Sequence, residues 1–180
     1  MEQTKTLKMV YLAMLITFAV AVHTIEAALP VPFPVPGVKL GLANIITLLT
    51  IVLYGYGSGL LVASLRSILG SLFSGNFLGF GFYLSFSGAV LSCVAMGLLM
   101  KLYRKKKITL ISVSIGGAVI FNVIQLALAS MFVQNAVLFR GYLPFLLFLA
   151  VPTGFFTGLV TIYLEKAVRR AGLRFPASSS

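Results

Sequence analysis

Six long apolar runs govern what this chain can become. They cover roughly Leu7 to Leu29, Val38 to Tyr54, Ser58 to Phe73, Phe77 to Leu102, Ile108 to Val133 and Tyr142 to Ala167. About 18 consecutive apolar residues suffice to cross a bilayer as a helix, and several of these runs exceed that length. Only 9% of the residues are charged and 59% are hydrophobic, whereas a soluble domain carries about a quarter charged residues. In hydrocarbon every backbone polar group needs an internal partner, so spanning runs of this kind become helices. The expected fold is all-α, a polytopic membrane protein of six transmembrane helices. The second and third runs would reach only roughly 24–26 Å at ~1.5 Å per residue. Short, glycine-interrupted spans often lie beside a binding site.

The charges orient these spans. The formal net charge is +11, a balance that in a soluble domain would suggest nucleic acid. Its placement argues otherwise. Lys5 and Lys8 precede the first run, Lys101 and Arg104 to Lys107 follow the fourth, and Lys166, Arg169, Arg170 and Arg174 follow the last. Only Lys39 and Arg140 fall on the other side. The positive-inside rule then puts both termini in the cytoplasm, with the basic flanks against anionic membrane lipid and no nucleic-acid partner. One domain is expected over residues 1–174, with a polar, disordered tail at 175–180. The single cysteine, Cys93, lies in an apolar run and reads as packing.

Between the first two runs lies a stiff strap. Prolines occupy positions 30, 32, 34 and 36, followed by Gly37. Proline fixes φ and lacks an N–H, so this segment is extended and rod-like. The topology puts it on the outer face, together with the Ser74–Asn76 turn and the 134–140 loop.

Polar residues inside apolar spans are costly and therefore informative. Arg66 sits mid-run on a face shared with Gly59, Ala63 and Gly70. It can pair with Glu26, or its planar donor fork can hold a carboxylate or phosphate; the two roles are compatible. His23 and Glu26 are three residues apart and share a helix face. A lone histidine with so few acids does not make a metal site. Asn44, Asn122 and Gln125 are amides that must find partners across helices or on a ligand, and Tyr83 near the outer end of the fourth run is a further candidate. Lys39 is expected in the first turn of the second helix, where a helix N-terminus and a cation together favour an anion.

Other stripes concern packing. Gly59, Ala63, Ser67, Gly70 and Ser74 line one face of the third run, Ala13, Thr17 and Ala21 one face of the first, and Gly154 and Gly158 form a GxxxG pair in the last. Small residues let membrane helices approach closely, within the chain or against a partner. Pro144 and Pro152 are expected to bend the last helix.

Catalytic patterns are missing. The chain has no aspartate, no Walker loop, no CxxC and no acidic pair for magnesium-diphosphate chemistry. It is read as a non-enzyme, at most a non-catalytic subunit of a prenyl diphosphate synthase.

Three blocks, Pro34 to Asn44 (PVPGVKLGLAN), Leu65 to Ser71 (LRSILGS) and Ser85 to Gly88 (SFSG), resemble the Gx transporter family, also known as heptaprenyl diphosphate synthase component I. The likeness covers most of Met9 to Lys101 and continues more weakly to the last run. That family is similar to the S components of energy-coupling factor transporters. The resemblance implies a multi-pass protein of a bacterial inner membrane that binds a small anionic or amphipathic molecule near its outer face for uptake. Pro32, Phe33, Pro34, Pro36 and Gly37 would form a lid. Ala13, Thr17 and Ala21 would dock a transmembrane coupling protein linked to ATPases. A vitamin-like molecule, a quinone or an isoprenoid are the implied ligands; no cofactor is otherwise called for. The alternative is a non-catalytic membrane subunit of an isoprenoid or quinone pathway, or of quinone- and flavin-linked extracellular electron transfer, serving a soluble prenyl synthase or redox partner.

Overall fold

A computed structural model, describing residues 2–28 and 39–170, resolves the chain into six helices among those residues. These are α1 (Glu2–Ala28), α2 (Asn44–Tyr54), α3 (Tyr56–Phe73), α4 (Phe80–Arg104), α5 (Leu110–Phe132) and α6 (Ala136–Arg170). All but α2 are long and apolar enough to cross a membrane. The all-α, polytopic class expected from the apolar runs is the class observed. The strap, with Pro32, Phe33, Pro34, Pro36 and Gly37, lies outside the described residues, as does the C-terminal tail.

Two boundaries differ from the sequence reading. α2 starts at Asn44, not near Val38, and its 11 residues reach only about 16 Å at ~1.5 Å per residue. The cause is Gly41, whose φ of 83° lies in the left-handed region and stops the helix from extending backward. Lys39 therefore precedes the helix in irregular backbone and is not in its first turn. At the other end of the chain, α6 begins at Ala136, so Arg140 lies on that helix instead of in a loop. Asn135 explains the early start, because its Oδ1 accepts the Val137 N–H at 3.0 Å in the manner of a helix cap. α6 also runs continuously through Pro144 and Pro152.

α2 and α3 meet at a single residue. Gly55 has φ 88° and ψ 174°, closing α2 and starting α3 at once. Only glycine adopts that backbone without strain. The short α2 thus sits inside the bundle: Leu48 and Ile51 join Ala63 of α3, Cys93 and Met96 of α4 and Val113 and Phe121 of α5 in the main core. α5 packs most extensively against α6 and α4, and α1 against α3.

The small-residue stripes resolve into close contacts. A Cβ on Gly154 would lie 2.6 Å from Ile115 Cα, and one on Gly158 would lie 3.0 Å from Ile111 Cα. The GxxxG pair therefore seats α6 on the backbone of α5. On α3, Gly59 faces Ile51 and Gly70 faces the His23 ring. The α1 stripe behaves differently: Ala13, Thr17 and Ala21 are all exposed.

The bundle has two distinct ends. Tyr54 at the end of α2 packs near Tyr11 of α1 and Val168 of α6, which defines the end carrying the basic flanks. Asn44, at the start of α2, lies toward the opposite end, near the C-terminal part of α1.

Candidate functional site

The site forms where α2 begins, because that helix has no cap of its own. Its N-cap residue Ala43 offers no side-chain acceptor, so the free N–H groups near the start of α2 need acceptors from elsewhere. Glu26 of α1 supplies one. Its Oε1 accepts the Gly41 N–H, and the Leu42 N–H at 3.3 Å. Gly41 itself admits no side chain, since a Cβ there would meet Phe121 at 2.9 Å and Asn44 Nδ2 at 3.0 Å.

Around this turn the polar residues converge. Arg66, 1% exposed, donates through Nη2 to Asn44 Oδ1 at 2.6 Å. The Lys39 N–H donates to Gln125 Oε1 at 3.0 Å, and Lys39 Nζ lies 2.8 Å from His23 Nε2. Asn122 donates through Nδ2 to the Leu146 carbonyl at 3.3 Å. Four helices and the segment before α2 thus bring the buried His23, Glu26, Asn44, Arg66 and Gln125 and the half-buried Lys39 into one cluster. Phe121 forms one wall, touching the positions where Gly41 and Gly88 would carry a Cβ.

The pairings fix which polar atoms are left over. Asn44 and Gln125 spend their carbonyl oxygens on Arg66 and Lys39, so each has its amide nitrogen to spare. Asn122 spends its nitrogen, so its oxygen remains. Among the described residues, Asn44 Nδ2, Arg66 Nε, Gln125 Nε2, Asn122 Oδ1 and Thr47 Oγ1 are buried without a hydrogen-bond partner. A buried unsatisfied polar group costs about 1–3 kcal/mol. Several in one bundle call for a ligand or water, and three of the five are N–H donors.

Two sequence expectations are corrected. Arg66 was expected to pair with Glu26 if it had a structural partner. It instead bonds Asn44, because Glu26 is taken up by backbone N–H groups. Tyr83 does not join the cluster: it is 44% exposed, with its ring centroid 6.1 Å from that of Phe132. Thr47 was missed. It lies three residues after Asn44 on the same helix face, and that spacing was the available signal.

Lys39 carries a measurable consequence. Burial pulls its ammonium down from 10.5 to about 8; nearby Arg66 pushes the same way and Glu26 opposes both. Between about pH 8 and 10.5 the folded chain has lost this proton while the unfolded chain still holds it. This group therefore makes stability rise with pH across that window. Acylation of Lys39, followed by peptide mass spectrometry across pH, is expected to titrate with a midpoint near 8; a midpoint above 10 would contradict the burial.

Comparison with known proteins bears on the whole chain. The family model for heptaprenyl diphosphate synthase component I matches residues 15–164. No curated protein matches significantly. A solved structure described as the S component of a bacterial ECF transporter is similar, with a TM-score of 0.61 and 20% sequence identity, over 91% of this chain and 98% of that one. At that identity the likeness establishes a shared fold.

Proposed function

We propose, for a chain that belongs to the heptaprenyl diphosphate synthase component I family, that it is the ligand-binding membrane subunit of an uptake system. Its ligand is a small molecule rich in hydrogen-bond acceptors, such as a carboxylate, a phosphate or conjugated carbonyls. The observation carrying this reading is the set of orphan donors on Asn44, Arg66 and Gln125, deep in the bundle near the end opposite the basic flanks. Arginine and amide N–H groups in a low-dielectric interior bind acceptor oxygens far more strongly than they would in water. Asn122 Oδ1 and Thr47 Oγ1 add an acceptor and a hydroxyl for a ligand N–H or O–H. His23, Glu26 and Lys39 hold the entry turn.

The shared fold with an S component supports a partner-dependent mechanism. The chain docks a transmembrane coupling protein through Ala13, Thr17 and Ala21, whose exposure on α1 leaves that face open to another helix. Both termini lie in the cytoplasm by the positive-inside rule.

The family's description favours a second reading, a non-catalytic subunit that presents an isoprenoid or quinone to a soluble enzyme. One experiment separates the two. The protein is purified in lipid nanodiscs from its native membrane, extracted, and the extract analysed by mass spectrometry. A stoichiometric water-soluble molecule bearing acceptor groups is expected; a prenyl diphosphate or quinone would move the assignment to the second reading.

A further inference from the structure

A cleft of about 690 Å³ lies at the basic end, between the α4–α5 turn and the C-terminal part of α6. It is far from the polar cluster and takes no part in it. Arg104, Lys106, Lys166 and Arg169 supply its cations, while Leu110 and Ile162 supply an apolar wall. Its carboxylate, Glu165, is already engaged by Arg169 Nε at 2.9 Å. Lys106 and Lys166 therefore leave the cleft with a positive excess.

The turn that carries Lys106 is pinned. Lys106 has a φ of 56°, its N–H donates to the Tyr103 carbonyl at 2.8 Å, and the Lys107 N–H donates to the Leu102 carbonyl at 3.1 Å. This is the hydrogen-bond pattern of a helix C-terminal lock. Across the turn, Thr109 caps α5 by accepting the Ser112 N–H at 3.2 Å. The backbone that carries Lys106 is thus held in place before anything binds, which lowers the ordering cost of binding.

We infer that this cleft is a specific site for an anionic phospholipid of the leaflet at the basic end. The headgroup phosphate sits among Lys106, Lys166, Arg104 and Arg169, and the first part of an acyl chain lies on Leu110 and Ile162. Phosphate recognition by several cations requires no more than this rim. The apolar wall is what selects a lipid over free phosphate. Basic pockets between helix ends on the cytoplasmic side suit such headgroups.

The test uses the full chain released from nanodiscs of mixed phosphatidylglycerol and phosphatidylcholine into native mass spectrometry. Phosphatidylglycerol should be retained preferentially. Replacing both Lys106 and Lys166 with glutamine, at exposed positions, should weaken its retention on the order of 30-fold. Replacing Lys5 and Lys8 with glutamine, basic residues outside the cleft, should leave it unchanged. Millimolar inorganic phosphate should not displace the lipid. Equal losses in the two double variants would show diffuse charge attraction and overturn the site. Equal retention of phosphatidylcholine, or displacement by inorganic phosphate, would overturn it as well.

Discussion

Replacing Arg66 with methionine is expected to abolish ligand binding while the bundle stays folded. Arg66 is 1% exposed, its Nη2 is committed to Asn44 at 2.6 Å, and its Nε has no partner among the described residues. Hydrogen bonds to a charged group contribute about 1.5–3 kcal/mol each, so losing the guanidinium should weaken binding by about 100-fold or more. The fold tolerates the change for the opposite reason. An arginine at the centre of a span costs about 2.5–3.5 kcal/mol on insertion scales, and methionine fills similar space with no charge. The orphaned Asn44 oxygen returns about 1–3 kcal/mol of that cost. Stability should therefore stay near wild type while the small molecule disappears from the purified protein's extract. Arg66→Lys tests the geometry: it keeps the charge but loses the planar fork and the Nε donor. It should bind poorly too. A methionine variant that retained the co-purifying molecule at wild-type stoichiometry would show that Arg66 is structural.

Gly154→Ala should give the largest loss of stability from one added methyl group. The new Cβ would lie 2.6 Å from Ile115 Cα and 3.1 Å from Ile115 N. These are backbone atoms, so no side chain can rotate away, and α6 must lift off α5 along the bundle's most extensive interface. Overpacking of this kind costs about 1–3 kcal/mol, which for a chain of this size lowers Tm by roughly 2–4 °C per kcal/mol. Gly141, on the same helix, is the control. A Cβ there meets nothing within 4 Å, so Gly141→Ala should be neutral or stabilising by about 0.5–1 kcal/mol. The protein carries its own reporter: Cys93 is the only cysteine and is buried, so a fluorogenic maleimide reads its exposure during heating. Equal Tm values for the two glycine variants would mean that α5 and α6 are not packed as described.

Much of this molecule was legible in its residues, for energetic reasons. Hydrocarbon penalises polar groups so strongly that Arg66, Glu26, His23, Asn44 and Gln125 could be singled out one by one, and the bundle does gather them. What sequence could not supply was their pairing. Arg66 and Glu26 are the obvious opposite charges, yet the turn before α2 claims the carboxylate first, through the N–H groups of Gly41 and Leu42. The start of α2 was misread for a related reason. Residues from Val38 onward are apolar enough to continue a helix, and the positive φ at Gly41 breaks it. Lys39 was consequently placed in a helix turn when it reaches His23 from irregular backbone. Thr47 escaped notice because a hydroxyl in a span usually bonds back to its own helix, as Thr50 does to the Ile46 carbonyl at 2.7 Å. The proposed lid falls outside the described residues.

The most direct measurement is a high-resolution experimental structure of the wild-type protein in nanodiscs made from its native membrane. Non-protein density within hydrogen-bond distance of Asn44 Nδ2, Arg66 Nε and Gln125 Nε2 is the expected result. A cluster closed by side chains alone, or filled only by water, would contradict the binding role.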